Sequence, residues 1–422
     1  MEFRQILSGA LLALALVILP PAPAEATDNE IVASELLKLF DAGKADTGSS
    51  DVNSRMAVVR ETYASRNYKP IWVRDNGPKS KAKALLKELS ISSVHGLSPQ
   101  FYNADEIAGL MESTRPEELA RLDMLLSGAV VEFGQDLRNG RVGPAHREAR
   151  NAVVPVEFDP GSYLEGAADA GNFRNYASGF LNADERYVRL IAKLSELQRI
   201  EISGRWPKLQ PGAPYSFEQI RDLLVLTGDL PPEDFSVAGF SDKGTRTAIR
   251  LFQKRHSIPV SGEMDDATLR EMAVPPARRI TQILVNLERR RWQNVPLGDD
   301  HLYVNLADHS VRMTFGGRTA GFAEFSDVAE LRSVPTSYGV LQDFQEGEKE
   351  TTAVIRLEPA PQYGSSPEKV VLTISPAVTL KPEMQVFVTY ITAWVSSSGQ
   401  LFFAPDFEER DKAVAADLQL ER

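Results

Sequence analysis

The sequence predicts an α+β protein of several domains, with a helical N-terminal region, a small helical module and a β-rich C-terminal region. Apolar residues recur with the helical period over residues 27–200 and again over residues 201–275. Residues 301–422 instead contain short alternating segments that are typical of strands. Proline and glycine cluster where one pattern gives way to the next. A length of 422 residues leaves room for such a division.

The first 26 residues have the features of a signal peptide. Arg4 precedes an apolar run from Ile6 to Leu19, Pro20 and Pro21 follow, and small residues lead to a cleavage site after Ala26. The run is shorter than the roughly 20 residues that a membrane-spanning helix needs. We therefore expect an exported, periplasmic protein whose mature chain has no stable membrane span.

Residues 27–200 are predicted to form a helical scaffold. The clearest helix carries an apolar face and ends at Gly140, and a short extended piece and turn over residues 70–78 precede another helix. Residues 141–163 are rich in Gly, Pro and charge, which favours a surface connection. Trp72, two residues after Pro70, and Trp206, next to Pro207, are interpreted as packing anchors. The apolar face consists of Leu122, Leu125, Leu126, Ala129, Val130, Phe133 and Leu137.

Residues 201–275 are predicted to form the compact helical module, and residues 276–300 a linking helix. Ala248, Ile249, Leu251 and Phe252 mark an apolar helix face in the module. Three consecutive arginines, residues 289–291, precede Trp292 in the linking helix. We expect them to pair with carboxylates and to pack on Trp292, joining the domains.

The C-terminal region, residues 301–422, begins with a predicted hairpin. Residues 302–306 and 311–315 flank the turn-forming residues 307–310. Further strands are predicted at Val370–Ile374 and Val386–Val395, and a last helix over residues 410–420.

Composition excludes several kinds of function. With 58 acidic and 47 basic residues the net charge is −11, which argues against nucleic-acid binding because phosphate neutralisation needs an excess of Lys and Arg. The five histidines are scattered without carboxylates at ligand spacing, so no metal site and no cofactor are expected. The chain contains no cysteine, which excludes disulfides and any thiolate nucleophile.

Several groups of residues occur in the order found in the large exported L,D-transpeptidases that crosslink peptidoglycan, and the chain resembles that family on both sides of its catalytic domain. The module is similar to the family's three-helix peptidoglycan-binding-like module. The resemblance rests on His95–Pro99, Asp123, Gly140–Val142 and Pro144 in the scaffold, on Phe240, Phe252-Gln253, His256, Gly262, Asp265 and Thr268-Leu269 in the module, on Asn286–Arg289 and Arg291-Trp292 in the linking helix, and on Tyr303–Asn305, Tyr390, Thr392-Ala393, Asp406-Phe407 and Arg410-Asp411.

The family's catalytic segment has no counterpart. Its members use a Cys thiolate together with a His-bearing element, whereas the interval from Leu306 to Met384 contains one histidine, His309, and no cysteine. The interval is also shorter than the family's catalytic core. We therefore expect a non-catalytic envelope protein, a pseudoenzyme with a shortened, degenerate C-terminal domain, that binds peptidoglycan or a cell-wall enzyme.

Two alternatives stay open. The first is an active peptidoglycan-modifying enzyme, either a transferase with a non-Cys nucleophile or a glycan hydrolase; Ser80 and Lys83 fit the Ser-x-x-Lys pattern, although Ser80 is better interpreted as a helix cap. The second is a periplasmic protein–protein adaptor.

Candidate ligand contacts lie in the module. The helical period places Phe252 in the core, so its more accessible neighbours are better candidates. Arg255, His256 and Asp265 flank the predicted turn at residues 258–262, and Arg250 lies one helical turn earlier. These four residues are the predicted binding site for a glycan or an acidic stem peptide. No catalytic residue is predicted.

Overall fold

The structure is a computed structural model, and it confirms the α+β multidomain class. It describes residues 29–42, 50–143, 156–181, 185–232, 239–293, 297–326, 334, 336–358, 368–396, 399–404, 414–416 and 418. The predicted signal peptide, Pro144 and most of the predicted last helix lie outside these residues. None of the helices that the structure describes combines the length and apolar character of a membrane span.

The helical scaffold contains eight of the described helices and a two-stranded ribbon. Helices α1 to α7 surround one hydrophobic core, whereas α8 packs on elements from later in the chain. The helices are α1 (Glu30–Ala42), α2 (Ser50–Ser65), α3 (Ser80–Ser90), α4 (Ala104–Leu110), α5 (Pro116–Asn139), α6 (Pro160–Asp169), α7 (Phe173–Ser178) and α8 (Glu185–Ser203), and the ribbon is β1 (Val73–Arg74) with β2 (Gly77–Pro78).

The central helix α5 ends at Gly140, as the sequence predicts. Pro116 occupies its first turn, where the missing N–H costs nothing, and Gly140 ends it with a φ of 79°. The predicted apolar face is largely buried in the core. The predicted surface connection after Gly140 is wrong at its far end, because Tyr163 is buried in α6, where its ring packs edge-on against Phe180 at 4.5 Å between ring centroids.

A buried carboxylate on α5 joins the ribbon to the scaffold core. Asp123 accepts hydrogen bonds from the backbone amides of Ile71, Trp72 and Val73 at 2.5 to 3.0 Å and from the Tyr63 hydroxyl at 2.5 Å. The Trp72 indole donates to Ser127, one helical turn further along α5. The prediction that Trp72 is a packing anchor is confirmed by this burial.

The helical module consists of α9 (Phe217–Leu226), α10 (Lys243–Arg255) and α11 (Asp266–Met272), so the predicted three-helix arrangement is confirmed. Each helix begins at a side-chain cap, and α9 has a complete capping box between Ser216 and Gln219. Phe252 and Ile249 lie in the module core, as predicted. Leu251, which was assigned to the same face, is 38% exposed.

The linking helix α12 (Pro276–Trp292) lies between the scaffold and the C-terminal elements and is largely buried. Arg291 donates to Glu288 at 2.9 Å, to the Tyr187 hydroxyl of α8 at 3.1 Å and to the carbonyl of His95. The arginines therefore join domains, as expected. Arg291 lies over Tyr187 and Arg289 over Tyr390, and the Trp292 indole donates to Glu288.

The C-terminal strands form a closed seven-stranded barrel in the order β3-β4-β5-β8-β7-β6-β9. All neighbouring pairs are antiparallel except β3 with β9. The predicted first hairpin is confirmed as β3 paired with β4. The barrel strands are β3 (His301–Asn305), β4 (Ser310–Phe315), β5 (Arg318–Phe325), β6 (Ser337–Glu346), β7 (Thr351–Leu357), β8 (Lys369–Ser375) and β9 (Gln385–Thr389).

The predicted strand Val386–Val395 is wrong as one element, because the structure divides it into β9 and β10 (Ala393–Val395). Asn305 holds both backbone groups of Ile391, accepting from its amide at 2.8 Å and donating to its carbonyl at 3.0 Å. The chain thereby leaves the barrel. Strand β10 pairs with β11 (Leu401–Phe403), and this hairpin packs between the module and helices α8 and α12.

Candidate functional site

The exposed side of α10 carries a line of cations. Lys243, Arg246, Arg250 and Lys254 are all exposed, and their spacing places them within about one quarter of the helix circumference along about 16 Å of its axis. None of the four forms an ion pair with a residue that the structure describes. We call these four residues the basic face. The net charge of the chain is −11, so four cations on one helix face without ion-pair partners among the described residues form a local concentration of positive charge.

Gln253 lies beside the basic face on α10 and is fully buried. Its amide nitrogen donates to Ser261, Thr268 and the carbonyl of Glu263 at 2.8 to 3.0 Å, and its oxygen accepts from the amide of Gly262 at 2.8 Å. Gln253 therefore shapes the turn between α10 and α11. A buried amide with satisfied donors and acceptor acts as a rigid support for the helix above it.

Of the four predicted contacts, Arg250 belongs to the basic face. Its side chain lies across Gly262, since a Cβ placed on that glycine would be 2.8 Å from the Arg250 Nε. Gly262 also has a φ of 77°. Arg250 is thus exposed and supported by the turn, as the sequence suggested.

Asp265 is exposed but has a structural partner. It caps α11 by accepting from the Thr268 amide at 2.8 Å and from the Thr268 hydroxyl at 2.7 Å. These hydrogen bonds hold the pKa of Asp265 below its usual value. Its carboxylate is committed to the helix N-terminus.

The expectation that Arg255 and His256 are accessible is wrong, since they are 4% and 3% exposed. Arg255 donates to Asp229 at 2.7 Å and to the carbonyl of Leu401 in β11. The imidazole of His256 stacks between Phe252 and Phe403, with ring centroids 3.8 Å and 5.5 Å away. Both residues are buried because the β10–β11 hairpin covers them.

The environment of His256 keeps its ring neutral. Burial, reinforced by the guanidinium groups of Arg279 and Arg255, holds the pKa of His256 well below its usual value. Together with Trp206 and Leu401 these residues enclose a small cavity of about 40 Å³ between the module and the hairpin. The cavity is a packing defect at an interdomain contact, with room for about one water molecule.

The barrel interior is filled by apolar side chains. Alternate residues of β7 and β8 point inward and are buried, and one hydrophobic cluster extends over all seven strands. Side chains just fill the interior of a barrel of about eight strands, so a seven-stranded barrel leaves no more space than that. Its central members are Leu302, Val304, Val311, Leu341, Ala353, Ile355, Leu372, Ile374 and Val386.

The Ser-x-x-Lys pattern has no catalytic geometry among the described residues. Ser80 is the first residue of α3, and the preceding Lys79 occupies the cap position without a side-chain hydrogen bond to the helix, so the interpretation of Ser80 as a cap is wrong. Lys83 lies 3.6 Å from Glu112. Ser80 and Lys83 make no hydrogen bond to each other within the described structure.

Each histidine of the C-terminal domain contacts a nearby part of the chain. His301 Nδ1 is 2.7 Å from the carbonyl of Gly298, and the ring of His309 packs against Phe325 at 5.5 Å. No group of three His, Asp or Glu residues suited to a metal ion occurs in the part of the chain that the structure describes.

The fold and the site define a multidomain protein with a helical scaffold, a small capped three-helix module that exposes a basic face, and a closed barrel. Comparison with known families agrees with the first two parts. Residues 57–194 match the family model described as "Scaffold domain", and residues 218–272 match the one described as "Putative peptidoglycan binding domain". This order is consistent with an L,D-transpeptidase-like architecture. No curated protein matches the chain.

The peptidoglycan-binding domain supports association with peptidoglycan and an envelope location. Sequence analysis found Arg250 but missed the other three members of the basic face. Their signal was present, because residues 243, 246, 250 and 254 repeat at helical spacing opposite Ala248, Ile249 and Phe252.

Proposed function

We propose that this protein is a non-catalytic, periplasmic member of the cell envelope that binds peptidoglycan through the basic face of its module. The observation that carries the proposal is the coincidence of the basic face with the segment that matches a peptidoglycan-binding domain. Peptidoglycan stem peptides carry free carboxylates, which unpaired Lys and Arg side chains attract.

Three features support the absence of catalysis. The chain has no cysteine, although the family that it resembles attacks the peptide carbonyl with a thiolate. The barrel interior is filled by apolar side chains. Ser80, the alternative nucleophile, has no base positioned by hydrogen bonding among the described residues. On this proposal the C-terminal domain is a degenerate relative of a catalytic domain, and its barrel is a structural support.

The binding half of the proposal is tested by sedimentation with purified sacculi. We expect the Arg246→Gln, Arg250→Gln double variant to bind at least tenfold more weakly than the wild type. The matched control is Arg318→Gln with Arg356→Gln, two exposed arginines on the barrel exterior without ion pairs to described residues. Equal loss in both variants would indicate attraction by overall charge, and no loss in either would refute the role of the basic face.

The catalytic half is tested by incubating the protein with isolated peptidoglycan peptides and analysing the products by mass spectrometry. We expect neither crosslinked nor cleaved product. Turnover that disappears in Ser80→Ala would establish the alternative of an active transferase. If the protein instead remains in the supernatant of the sacculus experiment and captures an envelope protein, the adaptor alternative is correct.

A further inference from the structure

A second cavity lies within the scaffold, apart from the module and its basic face. It has a volume of about 280 Å³ and lies between α3, the end of α5 and α7. Its walls are mainly apolar, with the rings of Phe133 and Phe173 and the side chains of Leu137 and Ala177. Val94, which is 40% exposed, lies at its mouth.

The size of the cavity sets the size of an occupant. A dry apolar cavity of roughly 150 Å³ accepts one benzene ring. A volume of about 280 Å³ therefore suits about two fused rings. The rings of Phe133 and Phe173, 6.3 Å apart between centroids, favour an aromatic guest through edge and face contacts.

The charges at this cavity neutralise each other. Arg174 donates to Glu88 at 2.9 Å, so neither residue is available to compensate an ionic guest. An uncompensated charge would have to leave water for an apolar wall, which is strongly unfavourable. The occupant is therefore neutral.

His95 supplies the polar function of the wall. Its Nδ1 is shielded from solvent and has no hydrogen-bond partner in the described structure. We assign the proton to Nε2, because a proton on the shielded Nδ1 would leave a strong donor without a partner. Nε2 makes no hydrogen bond within the described residues, so it is available as a donor. Burial, reinforced by the Arg291 guanidinium, lowers the pKa of His95 to about 4, so the ring is neutral at physiological pH.

We propose that this cavity binds a small neutral aromatic molecule of about two fused rings that carries one hydrogen-bond acceptor, with His95 as the donor. The site is independent of peptidoglycan binding, because it lies in the scaffold and shares no residue with the module.

Isothermal titration of the full chain with 2-naphthol and with naphthalene tests the proposal. The hydroxyl of 2-naphthol offers an acceptor, whereas naphthalene matches its shape without one. We expect saturable 1:1 binding of both, with 2-naphthol bound roughly two- to tenfold more tightly, as one net hydrogen bond implies. Replacement of His95 by Leu should abolish this preference and leave naphthalene binding intact. Absence of saturable binding, or a preference that survives His95→Leu, would overturn the proposal.

A second pair of variants does not depend on how well the His95 variant folds. Val94→Trp fills the mouth and should weaken both probes at least tenfold. The control is Val188→Trp, a valine of α8 that is 55% exposed and does not line the cavity, and it should bind as the wild type does. If Val94→Trp binds 2-naphthol as the wild type does, 2-naphthol binds elsewhere on the protein and the cavity is not its site.

Discussion

The carboxylate of Glu288 accepts a hydrogen bond from the backbone amide of Val142 at 2.8 Å, which ties α12 to the end of α5 across 146 positions of the sequence. The same carboxylate accepts from the Trp292 indole at 2.9 Å and from Arg291 at 2.9 Å. One fully buried acidic group therefore holds the scaffold and the linking helix together.

We expect Glu288→Ala to lower the free energy of unfolding by about 3 to 5 kcal/mol, because the Arg291 charge would stay buried without its partner. Urea unfolding followed by circular dichroism measures the loss. The control is Glu196→Ala, which removes another pair with three-residue spacing, Lys193–Glu196, in which Glu196 is 44% exposed. That change should cost less than about 1 kcal/mol. Similar losses in both variants would contradict a special role for Glu288.

Gly140 leaves no room for a side chain. A Cβ at this position would lie 2.3 Å from the Glu288 Oε1, and the φ of 79° is unfavourable for any residue with a Cβ. Gly140→Ala should therefore destabilise the protein by at least about 2 kcal/mol. Gly143→Ala is the control, since nothing lies within 4 Å of its Cβ. Equal thermal unfolding midpoints for the two variants would show that the junction at Gly140 adjusts freely.

Two substitutions of Asp265 distinguish a helix-capping role from a ligand-binding role. Asp265→Ala should cost about 1 kcal/mol because α11 loses its cap, whereas Asp265→Asn keeps an acceptor for the Thr268 amide and should be nearly neutral. Both variants should sediment with sacculi as the wild type does. Loss of binding in a stable Asp265→Asn variant would instead mark the carboxylate as a ligand contact.

The partly buried ring of His95 makes stability depend on pH. Its pKa is about 4 in the folded protein, below the unfolded value of 6.5, so its contribution is complete above pH 6.5 and is lost as the pH falls through 4. We expect the stability difference between wild type and His95→Gln to change by about 3 kcal/mol from pH 7 to pH 4. A difference that stays constant with pH would show that His95 titrates normally.

Asp136 gives stability the opposite dependence on pH. Burial raises its pKa to about 6, although the neighbouring Arg141 favours the charged form. Its contribution is therefore complete below pH 3.8 and is lost as the pH rises through 6. Relative to Asp136→Asn, the wild type should lose up to about 3 kcal/mol between pH 4 and pH 7. Unfolding midpoints measured across this interval decide the sign, and a relative gain with rising pH would be contrary to this expectation.

Much of the fold follows from local patterns in the sequence. Helix α5 was predictable because its apolar face, its first-turn proline and its terminal glycine are all encoded within 25 residues. The β3–β4 hairpin was predictable for the same reason. The division of residues 386–395 was not, because the Asn305 side chain that separates β9 from β10 lies 86 positions earlier.

The candidate site, too, could be predicted only where it depends on residues close together in the sequence. The exposure of Arg250 depends on the period of its own helix, so the sequence predicted it correctly. Arg255 and His256 lie near the same helix end, but their burial depends on Leu401 and Phe403, about 146 positions later. A sequence pattern cannot show which distant hairpin covers a helix end.

That hairpin also determines how a bound polymer would meet the rest of the molecule. Arg255 and Ser257 hold β11 through the carbonyls of Leu401 and Phe403, while Arg250 lies on the opposite, exposed side of α10. The β10–β11 hairpin therefore contacts the module on the side of α10 turned away from Arg250. A strand of the cell wall that the basic face binds would lie on the exposed side of the module, away from this hairpin, so the contacts that attach it would also determine which side of the molecule it meets.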